Sequence, residues 1–151
     1  MKKIFAVVML CSSLMCATLY AAEMDAAGCK DQPLFPRMTG YYIAGCDDHP
    51  ANADMVISKG ENTETIHIEG KSTALMYSPQ PELKAKPSEA QLKNDFENAV
   101  KLVGGELLGK TFGQEWPFYH FVKDGKEFWV LLMVDSGKYY TGSYAFRIVE
   151  K

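Results

Sequence analysis

The 151-residue sequence has no excess of positive charge, no closely spaced metal ligands and no catalytic signature. Sixteen Lys and Arg stand against nineteen Asp and Glu, for a net charge of −3. That balance excludes nucleic acid as a partner class, because binding phosphate backbones needs clustered cations. The histidines are His49, His67 and His120, with neither His-x-His nor His-x-x-x-His spacing, and no Cys-x-x-Cys occurs. No metal site is expected from that pattern. There is no Gly-x-Ser-x-Gly elbow for a serine nucleophile. Gly104-Gly105 follows a helical segment instead of opening one, so it is not a phosphate loop. The reading is therefore of a chain with no catalytic residue and no cofactor. Internal repeats, low-complexity tracts and blocks of like charge are also missing.

The one long apolar run is at the start. Lys2 and Lys3 precede an apolar stretch, Ile4 to Leu19, and Ala21-Ala22 offers small residues for cleavage. This pattern predicts a signal peptide over residues 1–22 and one exported domain over 23–151, with no transmembrane segment after cleavage. Losing Lys2 and Lys3 takes the net charge from −3 to −5. About 129 residues remain, enough for a single domain with its own core. Cys11 and Cys16 leave with the leader, and Cys29 and Cys46 stay. In an oxidising compartment an even pair is most simply a disulfide. Ala27-Gly28-Cys29 also puts small residues before a cysteine, as a lipidation site would, but Glu23 and Asp25 interrupt the apolar run there.

Helical periodicity is confined to Ser88–Val103. Leu92, Phe96, Ala99 and Val103 fall on one stripe, with Lys93, Asn94, Glu97, Asn98 and Lys101 opposite. Ser88 can cap the helix with Gln91 completing a capping box, and Gly104 can end it. Before the helix, strands are expected over Tyr41–Cys46, Met55–Ser58, Thr63–Glu69 and Lys71–Ser78. Asp47-Asp48-His49-Pro50 breaks the first, and the alternation around Ile66 and Ile68 turns His67 outward. After the helix come Glu106–Phe112 and a meander of Phe118–Lys123, Glu127–Asp135 and Tyr139–Val149, with turns at Asp124-Gly125 and Ser136-Gly137. The fold class is α+β: a mostly antiparallel sheet of six or seven strands with one amphipathic helix on one face, ordered β-β-β-α-β-β-β.

The first exported segment carries a family likeness. Lys30, Asp31, Pro33, Leu34, Arg37, Gly40 and Ile43, then Glu69-Gly70-Lys71, the strand Thr73–Tyr77, and Asn94, Phe96, Ala99 and Gly105 follow one pattern, which closes with Tyr144–Lys151. This pattern resembles an accessory module found upstream of the peptidoglycan-binding domain in some OmpA-family proteins and in other bacterial envelope proteins. Gln32 stands where that module often has His. The resemblance implies a periplasmic or outer-membrane-associated protein. The sequence carries no Thr-Asp-x-x-Gly stretch of the wall-binding domain, so peptidoglycan binding is not implied. Read locally, Lys30-Asp31-Gln32-Pro33 favours a turn, and Arg37 pairs with Asp31 or serves as an anion-binding residue.

The expected function is non-enzymatic: a module that binds an envelope protein or a second copy of itself. The alternative is a small-ligand carrier or envelope enzyme with a cleft beside the helix. Phe128, Val130, Leu132 and Val134 point to one side of the sheet, and Trp129, Leu131 and Met133 to the other. One helix covers one side. The second needs the amino-terminal arm, sheet curvature or a partner, and incomplete cover would leave Tyr119, Phe121, Trp129 and Tyr139 as the interaction face.

Overall fold

A computed structural model describes residues 22–135 and 137–151. The leader expected over residues 1–22 lies outside them apart from Ala22, as does Ser136 of the expected second turn. The elements are β1 (Tyr41–Lys59), β2 (Asn62–Pro79), α1 (Glu89–Leu102), β3 (Glu106–Thr111), β4 (Pro117–Lys123), β5 (Lys126–Val134), a 3-10 turn (Gly137–Tyr139) and β6 (Tyr144–Glu150). The six strands form one antiparallel sheet in the order β1-β2-β6-β5-β4-β3, closed into a barrel by β1 pairing with β3. The fold is α+β with one helix. Two strands precede the helix and four follow it; the expected order had three on each side, the four segments read after the helix each correspond to a strand, and the four read before it merge into two.

The difference arises where chain breaks were expected. β1 runs straight through Asp47-Asp48-His49-Pro50, and β2 through Gly70. Pro50 cannot donate to a ladder, but among the described residues no strand lies along the outer edge of β1 from Ala44 to Met55. A proline is tolerated on such an edge. Gly70 marks where β2 leaves β6, whose pairing with it ends at Lys71 and Glu150. A Cβ at Gly70 would lie 2.2 Å from the Glu150 carbonyl oxygen, so only glycine lets the strands part this closely. Beyond Gly70 the hairpin curls over the sheet until Ile57 and Ser58 meet Thr111 and Lys110.

A β-bulge between Ile43 and Gly45 decides which side chains go where. Before it, Tyr41 and Ile43 join the core under the helix; after it, Ala51, Met55 and Ile57 face the barrel interior. One extra residue has moved the odd positions of β1 to the other face.

Two cores result. The larger lies between the helix and the outside of the barrel. It takes Leu92, Phe96 and Val100 from α1 and Phe128, Val130, Leu132 and Val134 from β5. Phe35 of the amino-terminal arm is wedged into it, with ring centroids 5.2 Å from Phe96, 5.6 Å from Phe146 and 6.1 Å from Phe121. The smaller core fills the barrel with Ile57, Ile68, Phe118, Trp129, Leu131 and Val149. The second face of β5 is thus covered by sheet curvature, and the arm lies on the helix side. The helix ends as its sequence suggests, with Ser88 Oγ accepting the Gln91 amide at 3.2 Å and Gly104 at a φ of 83°. Cys29 and Cys46 are bonded, their Cα atoms 5.7 Å apart. Cys46 sits opposite Leu75 in the ladder, so the bond ties the arm to the helix side of β1.

Phe96→Ala is expected to cost about 3–5 kcal/mol in denaturant unfolding through lost burial and a residual cavity. Asn98→Ala, on the exposed side of α1, should stay within about ±0.5 kcal/mol. Cys46→Ser opens a loop of 17 residues and should cost about 2–4 kcal/mol while the far-ultraviolet spectrum of the sheet persists.

Candidate functional site

Three of the four aromatic residues expected at an interaction face are in the cores. Tyr119 and Phe121 are 1% and 2% exposed beneath the helix, and Trp129 is 7% exposed inside the barrel. Only Tyr139, on the 3-10 turn, is exposed. The rings cannot form one surface, because the closed sheet and the helix use them as packing.

One region the fold leaves open is the mouth of the barrel. The hairpin covers the inner face of the sheet only beyond Ser72, and the rows before it stay accessible. In register across four strands lie Gly45, Met76, Ala145 and Met133, followed by Asp47, Ala74, Arg147 and Leu131. Gly45, Ala74, Met76 and Ala145 line a hollow of about 280 Å³. An adjoining hollow of about 130 Å³ shares Met76 and Ala145 and adds Trp116, Met133 and Asp135. Small residues on neighbouring strands make the floor low, and the two methionines form its flexible walls. Met76 is 49% exposed, unusual for a thioether in the middle of a sheet. The groove is apolar along its length and has an exposed carboxylate at each end, Asp47 and Asp135.

A polar chain separates the groove from the barrel core. His49 lies 3.0 Å from Asp47 through Nδ1, and its Nε2 lies 3.1 Å from Arg147 Nη1. Arg147 Nη1 also donates to Ser72 Oγ at 2.8 Å, and Arg147 Nη2 is 3.7 Å from Asp47. An Nδ1–H tautomer satisfies both contacts of His49, as donor to Asp47 and acceptor from Arg147. Serine, histidine and aspartate are together here, yet they are not wired for nucleophilic catalysis. Arg147 stands between Ser72 and His49, and Ser72 is fully buried. No base takes the serine proton, so the chain positions Arg147 and neutralises it.

Arg37 is similarly consumed. Its Nε donates to Asp31 at 3.0 Å, and Nη1 and Nη2 each donate to Asp25 at 2.6 Å. Asp31 also accepts from the Tyr77 hydroxyl at 3.0 Å, and Asp25 from the Ile43 amide at 2.8 Å. With two carboxylates around it, the guanidinium fastens the arm to β1 and β2, and its capacity for an external anion is spent. Burial, then the bond to Asp31, pushes the Tyr77 hydroxyl above its ordinary range. The Asp25 carboxyl is held below its ordinary 3.8, first by Arg37 and then by the Ile43 amide.

A cleft beside the helix does exist, about 420 Å³, lined by Tyr41, Leu83, Lys86, Gln91 and Asp95 among others. Two of its polar groups hold loops: Tyr41 donates to the Gly142 carbonyl at 2.7 Å and Lys86 to that of Thr141 at 3.3 Å. Among the described residues no group of three or more His, Cys, Asp or Glu could hold a metal ion. Among them, too, no helix is long and apolar enough to cross a membrane.

The groove residues were not singled out from sequence. The usable signal was the alternation Ala74-x-Met76 and the small Ala145, but the bulge that turns Gly45 and Asp47 to the same face leaves no sequence mark. Comparison with known proteins found no family model, curated protein or solved structure that matches this chain.

Asp25 gives the arm a pH dependence. Its folded value is depressed, so its contribution is fully present above the unfolded carboxylate range and is lost as pH falls through the folded value. In unfolding measured from pH 6 down to pH 2, the stability gap between wild type and Asp25→Asn should therefore close below about pH 4. A gap that stays constant with pH would remove the Arg37–Asp25 pair as its cause.

Proposed function

We propose that the protein is a non-enzymatic, exported module of the bacterial envelope that binds another envelope component in the groove at the barrel mouth. The observation that carries this reading is the uncovered apolar floor of Gly45, Ala74, Met76 and Ala145, a concave surface on the inner face of the sheet, whereas the other exposed apolar side chains of its strands, Val56, Leu107 and Val122, line neither of its hollows. A continuous apolar surface of this kind, kept out of the core, is what a binding face requires. Export is supported by the Cys29–Cys46 disulfide, which belongs to an oxidising compartment, and by the basic and apolar start of the sequence. The resemblance to the OmpA-associated module supports a periplasmic or outer-membrane-associated setting. Against an enzyme stands the wiring of the Asp47–His49–Arg147–Ser72 chain. Against a small-ligand site beside the helix stands the use of Tyr41 and Lys86 to hold the loop before β6.

The test is a photo-crosslinking amino acid placed at position 76 in intact cells, with position 122 as control. Val122 is exposed but lies outside the groove. Adducts are expected from position 76 in the envelope fraction and not from position 122. Adducts from position 122 alone would move the binding face elsewhere, and accumulation of the protein in the cytoplasm would overturn the envelope assignment.

A further inference from the structure

We infer that the groove takes an extended polypeptide segment with basic residues at its ends and apolar residues between them. This rests on the groove being the binding face and names the chemistry of its occupant.

The floor is apolar, and Asp47 and Asp135 stand at opposite ends of it. Arg147 is the cation nearest the floor, and it is already matched by Asp47 and held by His49 and Ser72. The wider field has the same sign. From Asp47 to Glu69 the hairpin carries Asp47, Asp48, Asp54, Glu61, Glu64 and Glu69 against Lys59 alone. That imbalance equals the whole net charge of the chain from residue 23 onward, so the rest of the domain is neutral. An anionic amphiphile entering the groove would meet this field unfavourably, and a cationic partner would be steered toward it.

Dimensions select an extended segment. From β1 to β5 the groove crosses three strand spacings, roughly 14 Å at about 4.8 Å each, and Asp135 lies four residues, about 13 Å, beyond Leu131 in the row of Asp47, so the two carboxylates stand about 19 Å apart on the diagonal. An extended chain covers about 20 Å in six residues, so basic side chains at i and i+6 reach the two carboxylates. The residues at i+2 and i+4 share their face and come down on Met76 and Ala145, whose neighbours are small enough to admit them. Strand addition along the open edge of β1 is a poorer mode. Pro50 lacks a donor there, and the bulge after Ile43 breaks the ladder geometry.

The experiment uses the exported chain, labelled at its alanine and methionine methyls, and three end-blocked peptides: Lys-Thr-Val-Thr-Val-Thr-Lys, Glu-Thr-Val-Thr-Val-Thr-Glu and Lys-Thr-Ser-Thr-Ser-Thr-Lys. The first is expected to shift the methyls of Ala74, Met76, Met133 and Ala145. The second should leave them unmoved, and the third should bind about tenfold more weakly. Asp135→Asn should weaken the first peptide severalfold. Asp47→Asn should do the same, with an unchanged methyl spectrum in the barrel core showing that loss of the His49 partner has not disturbed the fold. Equal binding of the acidic peptide, shifts confined to other methyls, no shift at millimolar peptide, or tighter binding of decanoate than of the first peptide would each overturn the inference. If crosslinks still form at position 76 while the basic peptide fails, the occupant is of another class and the groove remains the binding face.

Discussion

β5 is apolar on both sides, and the domain is organised around covering it. A half-buried strand would alternate, but Phe128 to Leu132 is buried without interruption. Each face must lie against something, since every large side chain left in water would forgo roughly 1.5–3 kcal/mol. The helix and Phe35 serve one face. The other is served by the sheet itself, because β1 and β2 are long enough to curl over it and close on β3. Barrel closure also removes a sheet edge at β3 that would otherwise invite pairing with another chain.

The curl is made by two local devices. Gly70 lets β2 part from β6 where any side chain would strike the Glu150 carbonyl. The bulge after Ile43 turns β1 so that its apolar residues serve the helix core before it and the barrel core after it. The same bulge brings Gly45 and Asp47 to the inner face beside Ala74 and Ala145. The groove is therefore a by-product of how the sheet bends, at the point where the hairpin has not yet come over. The arm completes the other side: the Cys29–Cys46 bond and the Arg37 pairs to Asp25 and Asp31 hold Phe35 in the helix core.

Much of this architecture can be read from local chemistry. The cap at Ser88, the buried Leu92 and Phe96 and the stop at Gly104 are consequences of residues close in sequence, although Val100, at the edge of the expected stripe, is buried where Ala99 and Val103 are only half-buried. So is the Asp124-Gly125 turn between β4 and β5, with Asp124 at a φ of 52°. The opposite faces of β5 follow from alternation alone. Other features depend on distant partners. Pro50 and Gly70 read as breaks because their effect depends on which edge lies free and which strand runs alongside. Tyr119, Phe121 and Trp129 read as a surface because nothing local reveals that the sheet closes over them. Tyr139 falls in a 3-10 turn, and β6 begins only at Tyr144. The groove was illegible for the same reason: its floor comes from four strands whose register is set by one extra residue.

The claim on which the rest stands is that the hairpin closes on β3 and shuts one half of the inner face while leaving the other open. Backbone nuclear Overhauser contacts across the seam measure this directly in the protein in solution. Contacts between Ile57 and Thr111 and between Ser58 and Lys110, with slow amide exchange at Trp129 and Leu131, are the predicted result. A hairpin with no contact to β3, and a Trp129 ring reached by an aqueous quencher as readily as a free indole, would contradict it.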